Sequence, residues 1–389
     1  MSSLHPNNVD KPVETIHPDN LPHANKDTLA QALSTIVEHS SKHTDVTQSI
    51  HGPMHLIPSI PWVHKLIPGI EDLANKYHVG NFVVIRGTDE RIFESMPIYA
   101  RIGMHLLFYG REQVKLLEGN KRIDELLRDE SIKQGKIYDS PESVKSIPSF
   151  ISTYNIQLDE LLHPDLSFYK CFNEFFYRKL KPDARPVQNA DNPDAFCSPA
   201  DCRLIVFSSV ALAQKFWIKG DEFSIPKLLG VAPDSARARL YAGCSMAICR
   251  LAPQDYHRFH SPLDGAVTRA PTDIPGQYYT VNPQAVNEPA FDVFTANKRS
   301  VAYVAHARAR GEVAVVAVGA LLVGGIGWTG GGAVRRGDEL GYFAYGGSTV
   351  VVLFPKGVIE FDKDLVENSL KPVETLVKVG YSLGSAPAQ

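Results

Sequence analysis

The residue with the most chemical promise is Ser348, which follows Gly346 and Gly347 and precedes the run Thr349-Val-Val-Val-Leu353. Glycine permits a strained turn and close backbone approach, so a serine here can be held against its own peptide bond. Its hydroxyl could attack an external substrate or the Gly347 carbonyl behind it. The competing reading is an ordinary β-turn leading into a strand. Two histidines, His257 and His260, lie in Asp255-Tyr-His-Arg-Phe-His-Ser-Pro-Leu-Asp-Gly265. On a strand, positions three apart point to opposite faces, so two separate proton-handling roles fit better than a shared metal. No third and fourth ligand stand at zinc spacing. Asp201, in Ser198-Pro-Ala-Asp201, is by itself a turn former. Beside a histidine and a serine it becomes the third member of an Asp–His–Ser constellation. A serine-hydrolase elbow needs G-x-S-x-G, and Gly346-Gly-Ser-Thr-Val350 lacks its last glycine.

The elements that must position these groups divide the chain into two textures. Residues 1 to 50 are rich in His, Asn, Pro, Ser and Thr, which predicts a mobile tail with one short helix near Thr28–Glu38. Residues 51 to 190 read as a helical region. Ile123, Leu126 and Leu127 follow i, i+3, i+4 spacing, Gly135 is a natural stop, and Ser140-Pro141 suits a helix start. Phe172, Phe175 and Phe176 form another helical face, and Ile98–Tyr109 is apolar enough to be a core helix or one lying on a bilayer. Arg178 to Arg185 holds four basic residues in eight, a solvated face or a surface for anionic headgroups. Residues 191 to 389 form a β-rich domain of short runs such as Val301–Ala305, Val313–Val318 and Thr349–Phe354. The expected class is α+β.

Several functions are disfavoured. The net charge of −3 gives no reason to expect nucleic acid as a partner. Gly325-Ile-Gly-Trp-Thr-Gly330 matches a dinucleotide fingerprint, but Gly331 to Gly337 cannot open the helix that loop requires. Five cysteines without a C-x-x-C pair suggest reduced thiols inside the cell. The N-terminus has no secretory h-region, and three lysines, no arginine and six acidic residues in its first fifty make a poor mitochondrial presequence. The longest apolar run, Val313 to Trp328, is short of the ~20 residues a spanning helix needs and is broken by glycines. A cytoplasmic protein, peripheral on an internal membrane, is the expectation.

Eight segments together resemble the phosphatidylserine decarboxylases. They are Phe175-Phe-Tyr-Arg-Lys-Leu-Lys-Pro-Asp-Ala-Arg-Pro186, Ser198-Pro-Ala-Asp201, Tyr256-His-Arg-Phe-His-Ser-Pro-Leu-Asp-Gly265, Val281-Asn-Pro283, Asn297-Lys-Arg299, Gly337-Asp-Glu-Leu-Gly341, Gly346-Gly-Ser-Thr349 and Thr375-Leu-Val-Lys-Val-Gly380. They occur in the family's order, and the resemblance covers roughly residues 90 to 385, leaving the His-rich tail outside. Cys202 stands where the family usually has glycine, and Ala296 where a glutamate commonly precedes Asn-Lys-Arg.

The resemblance implies a proenzyme that cuts itself between Gly347 and Ser348. His260 would activate Ser348, and Asp201 would orient His260. Elimination and hydrolysis would convert Ser348 into a covalent pyruvoyl group, a self-generated cofactor that forms a Schiff base with the substrate amine and receives the electrons released with CO₂. His257 would protonate the carbanion. The 42 residues from position 348 to Gln389 would stay bound through their buried strand. Phosphatidylserine and a membrane surface would be the partners, with homodimers common among relatives. Two alternatives stand beside this reading: an offshoot that decarboxylates a free amino acid such as tryptophan, and an unprocessed lipid-binding homologue.

Overall fold

A computed structural model describes residues 26–42, 44–46, 80–88, 90–95, 121–220, 222–281, 283–286, 292–308, 311–322, 325–346, 348–371 and 373–387. Seventeen strands occur among them. The first eight are β1 (Gly80–Ile85), β2 (Arg91–Ser95), β3 (Ala195–Cys197), β4 (Cys202–Phe207), β5 (Ser245–Leu251), β6 (Arg258–His260), β7 (Gly265–Val267) and β8 (Thr272–Ile274). Then come β9 (Arg299–His306), β10 (Glu312–Gly319), β11 (Gly325–Trp328), β12 (Ala333–Val334) and β13 (Glu339–Ala344). The last four are β14 (Ser348–Phe354), β15 (Glu360–Phe361), β16 (Glu374–Val377) and β17 (Ser382–Ser385). The helices that matter to the site are α1 (Lys26–Lys42), α2 (Lys121–Tyr138), α3 (Ile147–Tyr154) and α4 (Phe172–Phe176). The architecture is α+β, as the sequence patterning predicts.

One large sheet runs in the order β12-β7-β9-β10-β14-β5-β4-β16-β1-β2, with β8 also on β9. Strand β14 sits inside it, antiparallel to both neighbours, with Val351 opposite Val316 of β10 and Ile248 of β5. Both faces of these central strands are covered, which is why they are apolar at nearly every position. Alternation sends Val351 and Leu353 to one face, where they pack with Val316, Val318 and the helical-layer residues Tyr138, Phe150, Phe172 and Phe175. Val350, Val352 and Phe354 go to the other face, against Phe259, Leu340 and Phe343. Those three residues belong to a second, three-stranded sheet of order β11-β13-β6; a third small sheet has the order β15-β17-β3.

Several expectations meet the structure here. The run Val313 to Trp328 contains two strands, β10 and β11, and no helix among the described residues is long and apolar enough to cross a membrane. The dinucleotide-like glycines lie on β11 and the turn after it, with the short strand β12 following rather than a helix. All five cysteines are buried and unbridged. Helix α1 extends beyond Thr28–Glu38, and its Leu33 and Val37 enter the main core. Gly135 does not stop α2, which runs on to Tyr138; that ring is anchored 4.4 Å from Tyr345, so tertiary packing overrides the local propensity.

Residues 51 to 190 are not purely helical, because β1 and β2 form a hairpin there. Its partner β16, parallel to β1, lies near the far end of the chain, and an apolar run as short as Phe82–Ile85 is equally compatible with helix and strand. Arg86 in the hairpin turn pins it, pairing with Asp362 at 2.6 Å and Asp364 at 2.8 Å. The apolar stretch Ile98–Tyr109 lies outside the described residues.

Candidate active site

Ser348 is the first residue of β14, one position earlier than the sequence run implies, opposite Gly319 of β10 and Leu251 of β5. It is fully buried, and its Oγ makes no hydrogen bond. By strand alternation its side chain shares the face of Val350 and Val352, the side of the small sheet that carries β6. The turn before it is unusual. Tyr345 has φ 36° and Gly346 φ 111°, both in the left-handed region; Gly346 meets this freely, whereas a tyrosine there carries on the order of 1 kcal/mol of strain. Aromatic packing holds Tyr345 in place, with ring centroids of Tyr138, Phe176 and Phe172 at 4.4, 5.6 and 6.4 Å. Gly347 lies outside the described residues.

His260 ends β6. Its Nδ1 is 2.7 Å from the Gly337 carbonyl and its Nε2 is 3.2 Å from the Tyr256 hydroxyl. A carbonyl can only accept, so Nδ1 carries the proton and the neutral ring keeps a lone pair on Nε2, to which Tyr256 donates. Burial pushes the His260 pKa below its usual value, although the Gly337 bond and the charges of Glu339 and Asp201 oppose that shift. The ring is therefore neutral at pH 7 and able to take a proton at Nε2.

Asp201 departs from the triad picture. Its carboxylate accepts a forked pair from Arg185, with Nη2 at 2.7 Å and Nε at 3.0 Å, and the Val379 N–H at 2.8 Å. No hydrogen bond joins it to His260, whose tautomer is set by the Gly337 carbonyl instead. The two residues adjoin through the Ser198–Asp201 turn, because the His260 N–H donates to the Pro199 carbonyl at 2.8 Å. Asp201 reaches the imidazole as a charge. Arg185 is tied also to Glu160 at 2.9 Å, so this end of the basic stretch is an ion-pair network rather than a solvated face. Cys202 begins β4 as a buried residue with its Sγ 3.9 Å from Ser198 Oγ.

His257 is fully buried at the seam between the helical layer and the small sheet. Its Nδ1 donates to the Asp255 carbonyl at 2.9 Å, its own carbonyl accepts from Phe343 N at 2.9 Å, and its ring lies 4.0 Å from Phe176. Since Phe176 also packs on Tyr345, this histidine and the turn preceding Ser348 share one aromatic wall. The Asp255 carbonyl receives in addition Arg178 Nη2 at 3.2 Å. Arg178 is buried without a carboxylate partner among the described residues, and burial pulls its pKa down to about 10.

Beneath His257 lies a buried charge network. Arg203 bridges Glu94 and Asp255, and Arg250 pairs with Glu374 at 2.6 Å. Burial pushes the Asp255 carboxyl up to about 6, against the pull of Arg203. Sequence patterning misses these partners, along with Tyr256, Arg178 and the Gly337 carbonyl. Of these only Tyr256, Arg178 and Gly337 fall inside the segments that carry the family resemblance.

The arrangement supplies a desolvated hydroxyl, a neutral imidazole base on the hydroxyl's side of the sheet, and a second imidazole across the aromatic wall. Comparison with known proteins adds the lineage. The sequence model of the family described as phosphatidylserine decarboxylase matches residues 172–385, more than half of the chain. The chain is 46% identical over 306 residues to a phosphatidylserine decarboxylase proenzyme 2 of Komagataella phaffii, covering 78% of this chain and 30% of that protein. It is 47% identical over 293 residues to a proenzyme 3 of Schizosaccharomyces pombe, covering 75% and 29%. It therefore spans less than a third of the length of those fungal relatives. A bacterial proenzyme from Chlamydia trachomatis is 45% identical over 240 residues, 61% of this chain and 77% of that protein. Site geometry, motif order and these matches agree: the chain belongs to the phosphatidylserine decarboxylase family.

Proposed function

We propose that the protein is a self-processing decarboxylase that converts phosphatidylserine to phosphatidylethanolamine and CO₂. The observation that carries this is the unbonded, fully buried Ser348 Oγ on the His260 side of the sheet, directly after a strained Tyr345-Gly346 turn. Native proteins pair nearly all buried hydroxyls, so an orphaned one beside the sheet that carries His260 is read as a group reserved for reaction.

In the maturation step His260 Nε2 takes the Ser348 hydroxyl proton as Oγ bonds to the Gly347 carbonyl carbon. The Gly347–Ser348 C–N bond breaks, the new amine takes a proton, and an ester links the two pieces. Loss of the Ser348 α-proton with breakage of its Cβ–Oγ bond then releases Gly347 as a carboxylate. Water adds to the residue left behind and ammonia departs, leaving a pyruvoyl group at position 348. That group supplies an electron-accepting ketone in the place where the buried serine stood. The residues present suit it: position 348 is fully buried, Tyr345 before it packs on Phe176, and His257 and His260 each hold a proton on Nδ1. His257, with Nδ1 committed to the Asp255 carbonyl, would take a proton at Nε2 from the substrate ammonium as its nitrogen adds to the ketone, and return it to the substrate carbon after CO₂ leaves. Tyr256 keeps the His260 ring in place.

The names of the relatives favour the lipid over a free amino acid as substrate. A lipid substrate calls for peripheral binding to a membrane surface, and an internal membrane facing the cytoplasm is the proposed location. The 42-residue C-terminal piece stays bound through β14, which is hydrogen-bonded on both edges. Ser348→Ala tests the reading. The protein should remain one chain with no turnover of phosphatidylserine, whereas cleavage of the alanine variant would contradict it.

A further inference from the structure

Helix α2 carries an inward stripe at Asp124, Leu127, Ser131, Gln134 and Tyr138, the 3-and-4 spacing of one helical face. Four of the five have clear partners. Asp124 accepts from the Tyr279 hydroxyl, Leu127 lies in the core, Ser131 Oγ accepts from Leu322 N at 3.0 Å, and the Tyr138 ring lies 4.4 Å from Tyr345. Gln134 is the exception. It is fully buried, and neither its amide nitrogen nor its amide oxygen makes a hydrogen bond. An apolar residue of similar shape would be stable there without that desolvation penalty.

The neighbours on the stripe say where Gln134 sits. Leu322 follows β10, whose last residue Gly319 is opposite Ser348; Tyr345 precedes Ser348 across Gly346 and Gly347. The orphaned amide thus lies between the contacts of α2 with the two turns at the reactive end of the sheet. Thr349, whose side chain faces this helical layer by alternation, is likewise buried with an unbonded hydroxyl. Outward from the same helix opens a cleft of about 570 Å³, lined by Lys133, Lys136, Lys145, Glu142 and Ser143, with Tyr138 in its wall; Lys133 is paired with Glu38 at 3.0 Å, and Gln134 itself stands outside the lining. Exposed Ile132 and Val144 are the chain neighbours of two of those lysines, and apolar side chains among cations suit the surface of an anionic bilayer.

We propose that Gln134 is a specificity-determining contact for the headgroup of an anionic phospholipid, its Nε2 donating to a phosphodiester oxygen that comes in past the lysine-lined cleft. This deepens the decarboxylase reading and rests on it. After the cut, Tyr345 stands two residues from a new chain end at Gly347, so the Tyr138 ring in the cleft wall, which packs on Tyr345, is less tightly held.

The test is Gln134→Leu, assayed as purified, processed protein on vesicles of phosphatidylserine in phosphatidylcholine. Cleavage, followed by intact mass, should match the wild type, and the melting temperature should be equal or higher because an unpaired buried amide is removed. Turnover should fall in kcat/KM by roughly 10- to 100-fold, the range for one lost hydrogen bond to a charged group, with most of the change in KM. Gln134→Glu, which sets a negative charge against the phosphate, should raise KM further. The proposal is overturned if Gln134→Leu keeps kcat/KM within about twofold of wild type, or if it melts lower and fails to cleave, which would make the amide structural. Wild-type protein that turns over no phosphatidylserine would instead overturn the decarboxylase reading itself.

Discussion

Replacing Asp201 by asparagine separates two accounts of how the maturation base is held. Were Asp201 to orient His260 by a direct bond, as in a serine-protease triad, asparagine would impose the wrong tautomer and slow the reaction by about 10⁴-fold. Here the tautomer is fixed by the Gly337 carbonyl at 2.7 Å, and Asp201 is bonded to Arg185 and Val379 N. What the substitution removes is a charge. The Pro199 carbonyl that holds the His260 backbone lies two residues before Asp201, and the Asp201 charge acts on the imidazole through space. For unit charges roughly 7 Å apart at an effective dielectric of about 20 to 40, such an interaction favours the imidazolium by about 1–2.5 kcal/mol. Cleavage should therefore slow only about 5- to 60-fold. The assay is the rate at which freshly translated full-length chain gives way to the two pieces on a gel. A loss of 10³-fold or more in protein that melts normally would refute the carbonyl-fixed tautomer and restore the triad.

Other outcomes follow from the same geometry. Burial depresses the His260 pKa, so the rate of self-cleavage should rise with pH with its midpoint below the ordinary histidine value near 6.5; a midpoint above 7 would contradict a buried neutral base. For stability the sign is the same: a depressed folded pKa gives a contribution that is present above the unfolded value and lost as pH falls through the folded one. Arg203→Met should destabilise the fold by about 3–5 kcal/mol in chemical denaturation, because Glu94 and Asp255 are left buried without their shared cation. A loss below 1 kcal/mol would show that the pair is solvated. His257→Ala should mature normally yet lose decarboxylation; a variant that matures and turns over substrate at the wild-type rate would remove His257 from the chemistry.

How much of this was legible in the sequence depended on whether a feature is local. The α+β class and the strands around Val316 and Val351 are written in short-range pattern and recur in the fold. Ion pairs are not local. Arg178 and Arg185 stand in a stretch that looks like a basic surface, yet Arg185 meets Asp201 and Glu160 while Arg178 is buried against three carbonyls. The β1–β2 hairpin is hidden in a stretch of mainly helical pattern, because its partner β16 lies almost 300 residues away. Gln134 could not be singled out at all, since only a packed structure shows that a buried amide has no partner. Asp201 shows the opposite error: residue types that spell a triad were close together but were not bonded as one.

The central claim is that Ser348 is the precursor of the reacting group rather than a catalytic hydroxyl. Intact mass of the purified protein tests it most directly. Two species are predicted, a chain ending at Gly347 and the 42-residue piece to Gln389, the latter lighter than its serine-capped form by one ammonia. A single uncut chain, or a piece that retains serine at its head, would contradict the account.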